Sequence, residues 1–233
     1  MGNDSINPEN DNDEEDEDLY RSRVRVEGAE LVTPPVRVTT FSALKVRDYR
    51  WFWLSVLAGS HNNPMQILGR LWLVYALTGS ALALGIVAAA RGGAILIFSL
   101  YGGAIADRVR KRNLLLVTQS ANAVVALSIA ILISTGAIIW QHLIIAAVLN
   151  GLIFSFNSPG RQSFIPELVG EREMLTNGIA LYNTAMNLMR IIIPVIAGAL
   201  VLVIGVAGVY YIGAGCYAVS IVALLMIPAS RKA

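Results

Sequence analysis

The segment Gly102–Arg112, reading Gly-Gly-Ala-Ile-Ala-Asp-Arg-Val-Arg-Lys-Arg, most constrains what this chain can become. One carboxylate, Asp107, and four cations, Arg108, Arg110, Lys111 and Arg112, fall within six residues, with a long apolar run on each side. So much charge is not stable in hydrocarbon, so the segment reads as a short turn at a membrane surface between two spanning helices. Four Lys/Arg in a short loop place that surface on the cytoplasmic side.

The rest of the topology is counted outward from this turn. Apolar residues make up 55% of the chain and its mean hydropathy is +0.60, both outside the range of soluble domains. Six apolar runs lie at about 51–77, 81–106, 113–135, 139–158, 174–203 and 206–228, each near the roughly 20 residues that a span needs. The links at 78–80, 135–138 and 204–208 carry no charge, whereas 107–112, 161–173 and the C-terminal Arg231-Lys232 are charged. Cationic and neutral links therefore alternate, which predicts an all-α membrane protein with six transmembrane helices and both termini in the cytoplasm. Trp72, Tyr75, Trp140, Tyr210 and Tyr211 then fall near the outer interface, and Tyr49, Trp51 and Trp53 near the inner one. Three spans per repeat is an odd number, so any 3+3 repeat would be inverted in the membrane.

The charge of +2 is an average over unlike parts. Residues 1–18 hold nine acids and no base; the remainder holds 18 cations against 7 acids. The organisation expected is a disordered tail over 1–40, acidic and then basic, a six-helix bundle over 41–229, and a cytoplasmic end at 230–233. Phe41–Arg50 reads as an interfacial lead-in. Within the fourth-to-fifth link, Phe164, Ile165, Leu168 and Val169 are spaced for one face of a surface helix.

Several classes of chemistry find no support. Cys216 is the single cysteine, and His61 and His142 are far apart, so no disulfide or metal-ligand spacing exists within one chain. No Walker motif or glycine-rich phosphate loop is present, and no secretory signal precedes the first span. We expect no enzyme, no metal, no cofactor and no nucleic-acid partner. A channel is disfavoured, since no ring of acids or carbonyl filter is visible.

Polar residues within the spans are the candidate site. Arg70, Arg91 and Arg190 lie inside apolar runs that contain no deep Asp or Glu. A cation at mid-membrane costs about 2.5–3.5 kcal/mol on insertion scales, so such residues face protein or a water-filled cavity. In span one, Asn62, Gln66 and Arg70 share a face at i, i+4, i+8, with Asn63 beside it. Pro64 removes the helical partner of the Ser60 carbonyl, and a Pro-interrupted polar stretch at membrane depth points to a transport site. Arg70 lies about 12 Å from the span's end, within reach of partial snorkelling. In span five, Asn183, Asn187 and Arg190 share a face, followed by the bend residue Pro194. Arg91 precedes Gly92-Gly93, which permits close helix approach. For each group, cavity lining and polar packing between helices both remain open. His61 is a candidate titrating group, with a structural role as its alternative.

These residues resemble the major facilitator superfamily. Gly103-x-x-Ala106-Asp107-Arg108 followed by Lys111-Arg112 looks like the family's loop between helices two and three, with Arg110 in place of its second glycine. The resemblance extends to the enterobactin-exporter-like and multidrug efflux branch through Met65-Gln66, Trp72–Ser80, Arg91, Pro159-x-Arg161-Gln162, Pro166–Val169, Asn177, Asn183, Asn187-Leu188-x-Arg190 and Pro194, covering about 41–229. It implies that Gly103, Asp107, Arg108, Lys111 and Arg112 form a gating loop. It also implies that the chain is the N-terminal six-helix half of a twelve-helix fold, built as 3+3 inverted repeats. The expected function is secondary active efflux of small amphiphilic molecules, an antiporter in the cytoplasmic (inner) membrane. Its partners would be a small-molecule substrate, protons, the lipid bilayer, and a second six-helix half or homodimer partner. Ile193 stands where antiporters of the family carry a glycine before the proline. A truncated non-transporting membrane protein, or an assembly partner, is the alternative.

Overall fold

The computed structural model describes residues 41–60, 62–170 and 172–228. The tail expected over 1–40 and the C-terminal end at 230–233 lie outside the described residues, as does His61. Within them the secondary structure is helical throughout. A single 3-10 turn, Ser42–Lys45, leads into α1 (Arg47–Ser60), followed by α2 (Asn62–Thr78), α3 (Ala81–Arg108), α4 (Lys111–Ser134), α5 (Trp140–Val169) and α6 (Arg172–Leu225). The four helices α3 to α6 are each long and apolar enough to cross a membrane.

Local chemistry sets the breaks. The Ser80 hydroxyl accepts the Ala83 N–H at 3.4 Å and so caps α3. Thr78 Oγ1 donates to the Val74 carbonyl at 2.7 Å and closes α2. Val109 and Arg110 are extended, which separates α3 from α4. His142 Nδ1 accepts the Ile139 N–H at 3.4 Å at the start of α5, a structural role for this histidine. Within α6, Gly205 departs from helical geometry at φ 70° and ψ 175°. That conformation is open to glycine alone, and it divides α6 into arms over 172–204 and 206–225.

Packing shows that the chain reverses at Gly205. Leu181 and Tyr182 from the first arm share a cluster with Leu224 from the second and with Ile227 just beyond it. The same cluster takes in Tyr49, Phe52 and Val56 of α1, Leu115 of α4, and Phe164, Ile165 and Leu168 of α5. The second main cluster joins Val74 of α2, Val87 of α3, Ala126 and Ala130 of α4, Leu143 and Ala147 of α5, and Val206 and Tyr210 of α6. The end of α2 thus packs with the start of α3, and the end of α4 with the start of α5, so the two helices of each of these pairs run in opposite directions. Phe52 anchors the first cluster, edge-on to Phe164 at 5.5 Å and stacked on Tyr182 at 6.4 Å.

Apolar contact alone cannot hold helices together in lipid, so close backbone approach and hydrogen bonds must contribute. A Cβ on Gly102 would run into the Ser155 carbonyl, and one on Gly151 would lie 2.6 Å from the Arg91 carbonyl. These two contacts lock α3 against α5. The Ser55 and Ser220 hydroxyls meet at 2.8 Å, and Ser220 Oγ also donates to the Ser55 carbonyl at 2.9 Å, joining α1 to α6. Tyr49 donates to the Gly178 carbonyl at 2.7 Å.

Several expectations are corrected. Residues 158–169 are no loop or surface helix: α5 continues through Pro159 and Pro166 to Val169. The face formed by Phe164, Ile165, Leu168 and Val169 is buried in the core. Proline is tolerated there because neighbouring helices re-satisfy the freed backbone groups. Gly92 and Gly93 meet nothing within 4 Å, and Gly102 and Gly151 are the points of close approach instead. Tyr49 and Tyr210 are buried rather than part of an aromatic belt, whereas Trp72 and Tyr75 are more than half exposed.

A cationic cavity as candidate functional site

A cavity of about 520 Å³ lies among the helices, and most of its lining residues are polar. α5 contributes Asn150, Phe154, Asn157, Ser158, Arg161 and Gln162. The spacing of Asn150, Phe154, Asn157 and Arg161, at i, i+4, i+7 and i+11, puts one polar face of the helix on the cavity. α4 adds Gln119 and Asn122, and α3 adds Arg91. From α6 come Tyr182, Asn183, Met186, Asn187, Met189 and Arg190, with Tyr217 from the returning arm. Gly59, Pro64 and Ile67 complete the lining from α1 and α2. A volume of this size suits a small-molecule ligand.

Three of these side chains are arginines, on three different elements, and no acid stands among the lining residues. The guanidinium of Arg91 sits over the Phe154 ring, 5.5 Å from its centroid, as a cation attracted by the ring's electron-rich face. Arg161 is buried at 5% exposure, packed with Gln119 and Ser220 against Gly59. Arg190, Asn187 and Asn183 are exposed, on the accessible side. Asn157 Nδ2 donates to Thr118 Oγ1 at 2.7 Å, which orients its amide. Gln119 is buried at 1% exposure, and its amide nitrogen has no acceptor among the described residues.

The candidates from the sequence divide. Arg91, Asn183, Asn187, Arg190 and Pro64 stand together in the lining. Gln66 and Arg70 do not; both are buried behind it. Arg70 does not snorkel: its Nη2 donates to Asn150 Oδ1 at 2.6 Å, and Asn150 Nδ2 donates to Asn122 Oδ1 at 3.5 Å. The backbone carbonyl of Gln66 accepts from Tyr210 at 3.4 Å. The side chains of Asn62 and Asn63 lie outside the described residues. Pro64 sits in the first turn of α2, where a missing N–H breaks no helical bond, and Pro194 lies within the first arm of α6 without interrupting it.

Around the α3–α4 turn, Lys111 Nζ meets Glu167 Oε1 at 2.8 Å. Arg112 donates to the carbonyls of Leu224 and Leu225 at 3.0 and 3.1 Å, which caps the end of α6. Arg108 is exposed, Gly103 faces open space, and the Asp107 side chain lies outside the described residues.

The described helices thus form a bundle of long apolar helices around a cavity lined largely by polar side chains. Residues 38–233 match the model of the family described as transmembrane secretion effector, within the major facilitator superfamily, and the chain belongs to that family. The chain is similar to the staphyloferrin A transporter of Staphylococcus aureus, 31% identical over 184 residues, covering 78% of this chain and 46% of that protein. It is also similar to the multidrug efflux pump Tap of Mycolicibacterium fortuitum, 27% identical over 174 residues, covering 73% of this chain and 42% of that pump. The match spans less than half the length of either relative.

Proposed function

We propose that this chain forms a six-helix half of a secondary active transporter that exports small amphiphilic molecules by alternating access. On this reading α1 with α2 make the first span, α3, α4 and α5 the next three, and the two arms of α6 the last two. The cationic turns support a cytoplasmic position for both ends of the bundle. Three spans then repeat with inverted topology. A second six-helix bundle, in the same polypeptide or from a second copy, covers the open side of the cavity. The two bundles rock about the site and expose it to each side in turn.

The observation that carries the proposal is the cavity itself: three arginines and a row of amides inside apolar helices, open where Asn183, Asn187 and Arg190 are exposed. The family and the two named relatives support the same reading. Around the α3–α4 turn, the Lys111–Glu167 and Arg112 contacts tie three helix ends together, which suits a gate. No carboxylate stands in the cavity lining, so on this reading a proton-coupling carboxylate comes from the second bundle.

The test is uptake by everted membrane vesicles against a panel of dyes and drugs of both charges, with and without a pH gradient. Arg190→Ala is expected to abolish uptake while leaving the protein at normal abundance in the membrane. Full transport by that variant would remove the cavity from the mechanism.

A further inference from the structure

We propose that the cargo of this cavity is an amphiphilic organic anion bearing at least two carboxylates, which rests on the transport reading above. The first ground is electrostatic. Arg91, Arg161 and Arg190 converge on one cavity, and Arg70 is bonded to the lining residue Asn150. Between residues 49 and 233 the sequence has four acids: Asp107, Glu167, Glu171 and Glu173. All four fall within the charged segments 107–112 and 161–173, and none stands in the lining. Clustered cations in a site of reduced dielectric repel one another and favour an incoming negative charge. A guanidinium presents paired donors that match a carboxylate in a bidentate fork.

The second ground is independent of charge. Gln119, 1% exposed and lining the cavity, has an amide nitrogen without an acceptor among the described residues. A buried donor of this kind asks for an acceptor atom, and a carboxylate or hydroxyl oxygen of the cargo supplies one. Phe154, Met186 and Met189 offer an apolar wall beside these donors. Met side chains adapt to varied shapes, so an anion with an apolar body fits better than a bare inorganic ion. An organic cation would meet three like charges.

The experiment reads binding rather than transport. The purified full chain in neutral-lipid nanodiscs is titrated with naphthalene dicarboxylate, its dimethyl ester, and a naphthylmethyl trimethylammonium ion. The dicarboxylate is expected to bind at least about tenfold more tightly than either analogue, and Arg91→Gln and Arg190→Gln are each expected to weaken it about tenfold. Equal binding of the ester or the cation, absence of dicarboxylate binding, or indifference to both substitutions would overturn the assignment. A chain that binds the dianion but moves nothing in vesicles defeats the transport reading alone. Vesicle uptake of cations without dianion binding defeats the anion assignment alone.

Discussion

Arg70 reaches across eighty positions of chain to donate to Asn150 at 2.6 Å, and this bond ties a buried cation in α2 to a wall residue of the cavity in α5. Asn150→Leu removes the acceptor of this bond. A hydrogen bond to a charged group contributes about 1.5–3 kcal/mol. The expected result is a loss of about that size in the stability of the purified protein, read from its thermal unfolding in detergent. An unchanged midpoint would show that another group holds Arg70.

Gly59 carries a tight polar node. A Cβ there would lie 2.6 Å from Gln119 Nε2, 2.8 Å from Arg161 Nη2 and 3.0 Å from Ser220 Oγ. Gly59→Ala displaces these three buried polar side chains and is expected to destabilise by about 1–3 kcal/mol. Gly85, inside α3 with nothing near it, is the control: Gly85→Ala improves helix propensity and is expected to be neutral or stabilising by about 0.5–1 kcal/mol. The pair is compared by thermal unfolding of the two purified variants.

The two neighbouring glycines before the cationic turn are expected to behave differently. Gly102 sits against the Ser155 backbone, while Gly103 faces open space. Gly102→Ala should lower abundance in the membrane and thermal stability, because backbone cannot yield as a side-chain tip can. Gly103→Ala should leave both unchanged, so any transport defect it causes would arise in the motion of the turn. Quantitative membrane blots of the two variants separate these cases.

Gly205→Ala tests the reversal in α6. Its φ of 70° is unfavourable for any residue with a Cβ, and no atom stands in the way of one. The expected cost is therefore backbone strain alone, about 1–3 kcal/mol. The loss is read from the unfolding assay, and an unchanged midpoint for Gly205→Ala would show that the link relaxes to accept a side chain.

The bundle's boundaries were legible because charge and hydrophobicity act locally. The cationic turn at Arg108–Arg112, the capping Ser80 and the neutral link around Gly205 each declare a helix end within a few residues. The cavity was legible only where a cation marked it, as at Arg91 and Arg190. Asn150, Phe154, Asn157 and Arg161 have the same regular spacing as Asn183, Asn187 and Arg190. They went unread because Pro159-Gly160 suggests a helix stop, and the neighbours that keep α5 helical are distant in sequence. Gln119 and Asn122, three residues apart, carried a weaker version of the same signal. Gln66 and Arg70 were placed on one face correctly, but which neighbour that face meets depends on α5 and α6, which no local pattern specifies.

The glycine reversals also bear on how such a chain is made. Gly79, Gly136 and Gly205, with φ of 61°, 70° and 70°, turn the chain at links that carry no charge. On the proposed orientation these are the segments that biogenesis must carry across the bilayer. A charged residue at its centre costs about 2.5–3.5 kcal/mol, a barrier that these links avoid. At Gly205 one residue outside helical geometry joins the two arms, so they are suited to enter the membrane together as a preformed hairpin.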